Sequence, residues 1–202
     1  IPRVFRAGSE ASLRPLFDAL AYIMIFAAPL LTMRLISGEF DSGTIETLMT
    51  SPVTEAQVVL GKFFGVMGFY VVMLAGSLVF LLVVALYGQP DPGVAVMGYV
   101  GMLLLGAAYL AVGVFASTLT RYQIVAAILG VAILAILAVL MQQIVAYGGP
   151  ALGRVASNLS VMKYFREFSR GVLDSRGVVF FLTVAALFLF LSVKTLESRR
   201  WR

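Results

Sequence analysis

Four stretches of the chain, residues 66–87, 94–118, 124–147 and 178–193, contain no Asp, Glu, Lys or Arg. Uncharged runs of this kind match the roughly 20 apolar residues that carry an α-helix across a bilayer core. A fifth window, 16–33, holds only Asp18, which sits near enough to its start to reach the headgroups. Composition agrees: 61% of the 202 residues are hydrophobic and 12% are charged, against about 45–50% and about 25% in soluble domains. Mean hydropathy is +1.00. In lipid every backbone N–H and C=O must be paired within the protein, and with no strand-like alternation the spans read as helices. The expected fold is therefore an all-α polytopic membrane bundle. It forms one transmembrane domain over 1–202, with spans at 16–33, 63–87, 94–118, 124–147 and 178–193.

The same sequence excludes several chemistries. It has no cysteine and no histidine, so disulfides, Cys or His nucleophiles, Cys/His zinc sites and a histidine pH switch are absent. Ion-coupled carriers and intramembrane enzymes use ionisable groups at depth, and the four uncharged runs offer none. Neither a carboxylate pair nor a nucleophile–base pair is placed for chemistry, so the chain does not read as an enzyme. A Gly-x-x-x-x-Gly-Lys-Ser/Thr phosphate loop is likewise missing, and no cofactor is expected on this chain. The net charge of +5 gathers at segment ends and in one connection, which suits anionic membrane lipids and not nucleic acid. The opening Ile1-Pro2, with Arg3, Arg6 and Arg14 after it, resembles no signal peptide, and a further N-terminal piece is expected before it. Small residues four apart, at Gly61/Gly65, Ala107/Ala111, Gly113/Ser117 and Ala126/Gly130, are expected to let helix backbones approach closely.

Two polar connections are too long for simple turns. In 148–177, Asn158 or Ser160 is placed to cap a helix whose apolar positions are Val161, Phe165, Phe168 and Val172. Its other face carries Lys163, Arg166, Glu167, Arg170 and Asp174, with Lys163/Glu167 and Arg170/Asp174 spaced for ion pairs. Such an amphipathic helix lies at an interface, either lining a substrate exit or acting as a spacer at headgroup level. In 37–62, Asp41 or Ser42 is placed to cap a short helix that brings Ile45, Leu48 and Met49 onto one face, with Glu46 near its positive end. Ser51-Pro52 then reads as an N-cap with proline at the first helical position, launching the next span. An apolar triplet outside the membrane needs cover, either the chain's own span ends or a docking partner.

Arg34-Leu35-Ile36-Ser37-Gly38-Glu39, then Ser42-Gly43-Thr44-Ile45-Glu46-Thr47-Leu48-Met49-Thr50-Ser51-Pro52-Val53-Thr54 and Gly61-Lys62, resembles the first cytoplasmic loop of type-2 ABC transporter permeases. Residues 116–123 are similar to that family's second cytoplasmic turn. The segments 168–174 and 196–201 are similar to its gliding-motility-type branch. The resemblance implies six spans, five of them present here, in an exporter subunit of the bacterial inner membrane. ATP and Mg would be bound by a separate ATPase subunit, and a second permease copy, identical or paralogous, would face this one. It also implies that Glu39, Gly43, Thr44, Ile45, Glu46, Leu48, Met49 and Pro52 form the coupling element, and that the C-terminus is cytoplasmic. A bare count of basic residues slightly favours the opposite orientation. A membrane subunit that anchors a partner and transports nothing fits the same residues.

Overall fold

The computed structural model describes residues 13–44, 53–87, 91–147 and 149–200. Among the described residues there is no strand. The helices are α1 (Arg14–Thr32), α2 (Ser37–Ser42), α3 (Glu55–Gly76), α4 (Leu78–Tyr87), α5 (Pro92–Leu119), α6 (Gln123–Ala135), α7 (Met141–Tyr147), α8 (Gly149–Leu159), α9 (Val161–Ser169) and α10 (Ser175–Arg200). One wide π turn, Ile136–Leu140, joins α6 to α7. Five segments are long and apolar enough to cross a membrane: Arg14–Ser42, Glu55–Leu86, Pro92–Leu119, Gln123–Tyr147 and Ser175–Arg199. The chain is an all-α polytopic bundle.

The axis of the bundle is α5. Its most apolar window is 72% buried, against 11–39% for the other four spans, and it packs on α1, α3, α6, α9 and α10. Glycines explain how one helix touches so many others. A methyl group added at Gly98 would strike the ring of Phe17, at Gly106 the ring of Tyr70, and at Gly113 the hydroxyl of Thr32. One added at Gly101 would come within 2.6 Å of Phe168 Cβ. Lipid tails are as apolar as leucine, so such close van der Waals seating, and not water exclusion, holds spans together. The Tyr70 hydroxyl, buried at the α3–α5 contact, donates to the Met102 carbonyl at 2.7 Å and so carries no unpaired polar group into the core. On the other flank, Gly130 of α6 lies against Pro29 of α1.

Several details differ from the sequence reading. Residues 37–42, expected as connection, form α2, so Asp41 and Ser42 lie in the last turn of a helix and not at the start of one. The helix of the second span is described from Glu55, and the Ser51-Pro52 start lies outside the described residues. Thr54 is extended and caps α3 from Glu55, its hydroxyl accepting from Gln57 N–H at 3.3 Å while the Gln57 side chain accepts from Thr54 N–H at 3.0 Å. Gly61 and Gly65 seat nothing: open space surrounds both. In 148–177 there are two helices, and Asn158 belongs to the end of the first. Ser160 occupies the cap position of α9 without a capping hydrogen bond. α9 ends at Ser169, because Gly171 takes φ +84° and turns the chain, which leaves Val172 exposed and not on the buried face. Among the described residues neither Lys163/Glu167 nor Arg170/Asp174 closes as an ion pair. Lys163 instead lies 5.5 Å from the ring centroid of Tyr164, and Asp174 accepts from Arg176 N–H.

Candidate functional site

Where α1 gives way to α2 the helical ladder is interrupted, and the hydroxyl of Ser117 repairs it. In an unbroken helix the N–H groups of Ile36 and Ser37 would donate four residues back. Here both donate to Ser117 Oγ, at 3.1 and 3.0 Å, and Ser117 in turn donates to the Met33 carbonyl at 3.0 Å. A hydroxyl has two acceptor positions and one donor, so all three are used. The Ser37 hydroxyl also donates to the Met33 carbonyl. One turn earlier, Thr32 packs on Gly113 and donates to the Ala28 carbonyl at 2.8 Å. The Gly113/Ser117 pair is thus the seat on which the end of the first span bends.

From this elbow α2 runs outward and is tied at its middle. The Glu39 carboxylate forms an ion pair with Lys62, from the second turn of α3. Each side chain retains only about a quarter of its exposure, 24% for Glu39 and 25% for Lys62. The pair bridges the two ends of the connection between the first and second spans. Beside it, Phe40 lies under the Arg199 guanidinium at 4.8 Å, and Arg199 also donates to the Leu119 carbonyl at the end of α5. Phe40, Leu119, Thr120, Arg121, Tyr122 and Arg199 line an open cavity of about 480 Å³. Gly38 approaches Gln123. Residues of the 37–62 connection, the 120–123 turn and the end of α10 therefore meet at one end of the bundle.

Of the residues singled out in that connection, Glu39 is in the ion pair. Gly43 ends α2 with φ +75°, a conformation that costs glycine nothing, and the Thr44 hydroxyl lies 2.9 Å from that of Ser42. Ile45, Glu46, Leu48, Met49 and Pro52 lie outside the described residues. Sequence reasoning missed Ser117 as a hydrogen-bonding group, and it missed Phe40 and Arg199. Lys62 appeared only as part of a Gly-Lys step, whereas the opposite charge of Glu39 was a signal available in the sequence.

At the opposite end, α9 has one buried face and one exposed or half-buried face. Phe165 and Phe168 are fully buried, Phe168 against Gly101 of α5, while Lys163 and Arg170 are exposed and Arg166 and Glu167 half-buried.

A family model described as ABC-2 family transporter protein matches residues 7–196. The chain belongs to the ABC-2 transporter family. No curated protein matches it. As an ABC-2 protein it is a multi-pass membrane permease component of an ABC transporter. Members are transport subunits, normally without a catalytic site of their own, and the family implies an ABC ATPase as partner. The site at the Ser37 end holds ion-pair and hydrogen-bonding chemistry suited to bracing spans. Among the described residues no group of His, Cys, Asp and Glu is placed to hold a metal ion.

Proposed function

We propose that this chain is the transmembrane subunit of an ATP-driven exporter, and that residues 37–62 transmit force to it from a separate ATPase subunit. The observation that carries this reading is the Glu39–Lys62 ion pair. A slack connection would absorb a push; one closed at its base passes the push to the first and second spans together. Ser117 and Arg199 extend the brace to α5 and α10. In this reading ATP and Mg bind the ATPase and not this chain. Two permease copies, identical or paralogous, pair in the bacterial cytoplasmic membrane, with the C-terminus in the cytoplasm. The likeness of 34–54 to type-2 ABC permeases, and of 168–174 and 196–201 to their gliding-motility-type branch, supports this reading.

The docking face of this proposal is Ile45, Leu48 and Met49. Leu48→Asp would place a charge in that face at a cost of a few kcal/mol, on the order of 2–4, without altering a span. The test is co-purification of the ATPase together with ATPase activity in the reconstituted complex. Leu48→Asp is expected to insert normally and to lose both. Wild-type values for both would reduce the segment to a connector and favour a non-transporting anchoring subunit.

A further inference from the structure

At the end of the bundle opposite Ser37, an open cavity of about 210 Å³ lies between α9 and α7. Its lining is cationic: Lys163, Arg166 and Arg170 against the single carboxylate of Glu167, with Gln142 and Ser160 completing the polar wall. Among the described residues none of the three cations is ion-paired. The charges cannot turn away as a set, because α9 is held by its other face, where Val161, Phe165 and Phe168 are buried. Gln142 lies two residues past the end of the π turn, a wide turn that re-aims the residues after it. Its amide oxygen accepts from the Tyr22 hydroxyl at 3.4 Å, which leaves its two N–H donors for the cavity.

We propose that this cavity binds the phosphodiester headgroup of an anionic phospholipid. Arg166, Arg170 and Lys163 supply charge-assisted hydrogen bonds to the phosphate oxygens, and Glu167 accepts from a headgroup hydroxyl. The apolar surface beside it identifies a lipid and not free phosphate as the source. Val139, Leu140 and Val145, on the same helical segment as Gln142, are 40%, 48% and 43% exposed and offer a track for an acyl chain. Removing two of the juxtamembrane basic residues should weaken binding of the anionic headgroup roughly 10- to 30-fold. This site is independent of the transport reading, since a non-transporting subunit would bind the same lipid.

The experiment is native mass spectrometry of the full chain in neutral detergent, titrated with phosphatidylglycerol or phosphatidylcholine. The wild type is expected to retain one phosphatidylglycerol per chain in preference to phosphatidylcholine. Arg166→Gln with Arg170→Gln should abolish the preference, and Arg121→Gln, at the other end, should keep it. Should the double variant fail to fold, Lys163→Gln, at an exposed position, must still lower retention measurably. Equal retention of the two lipids by the wild type would overturn the proposal, as would an undiminished preference in the variants that fold. Displacement of the lipid by millimolar inorganic phosphate would overturn the lipid assignment in favour of a free-phosphate site.

Discussion

The Ser117 hydroxyl makes three hydrogen bonds at a point where the backbone has no other way to satisfy Ile36 and Ser37. Each buried N–H left without a partner costs about 1–3 kcal/mol. Ser117→Ala is therefore expected to lower the thermal midpoint of the detergent-solubilised chain by several degrees, and an unchanged midpoint would show that the elbow finds other partners. The glycines make a sharper pair of predictions. Gly106→Val should destabilise by about 1–3 kcal/mol or more, because the Tyr70 ring fills the space a side chain needs. Gly65→Val should be nearly neutral for the isolated chain, since nothing lies near it. Both residues look alike in sequence. Small residues at four-residue spacing mark where a helix can be approached, and the pattern does not record whether a neighbour comes. Gly113/Ser117 and Gly61/Gly65 share that spacing, yet one pair seats an elbow and the other faces open space. Ser117's role was illegible for a further reason: it depends on a break in a helix distant in sequence.

Start signals for α3 compete within a few residues. Ser51-Pro52 offers a pre-set φ in the sequence, and Thr54 and Gln57 each satisfy a donor in a reciprocal capping box at the start of α3. Thr54→Ala should cost about 0.5–2 kcal/mol locally. Amide exchange over 55–58 is expected to accelerate while exchange at the buried core of α3 near Tyr70 stays slow. Uniform acceleration along the helix would mean that the cap holds the whole element. At α9 the apolar period of Val161, Phe165 and Phe168 predicted the buried face correctly, and it over-ran at Val172 because Gly171 reverses the chain two residues past Ser169. The spans themselves were legible because a bilayer requires length and lack of charge, both of which composition records directly. Their order around α5 was not legible, being set by which ring fits which glycine.

For the whole molecule, the three segments 37–42, 120–123 and the end of α10 share one end of the bundle, and α9 lies at the other. Cysteine labelling in intact cells assigns those ends, because the native chain has no cysteine. Asp41→Cys, at an exposed position of α2, is expected to be reached only from the cytoplasm, and Ser175→Cys, exposed at the start of α10, from outside. Reversed labelling would support the orientation that the basic-residue count favours. In the proposed reading, a closed connection carries force from the ATPase into the spans through Glu39 and Lys62. This is tested most directly by ATPase activity per transport cycle in the reconstituted complex carrying Glu39→Lys, Lys62→Glu, or both. Each single reversal is expected to uncouple hydrolysis from transport while the ATPase stays bound, and the double reversal to restore coupling to at least about half, since the pair's attraction survives exchange of its charges. Single variants that couple like the wild type, or a double variant as uncoupled as either single one, would contradict this reading.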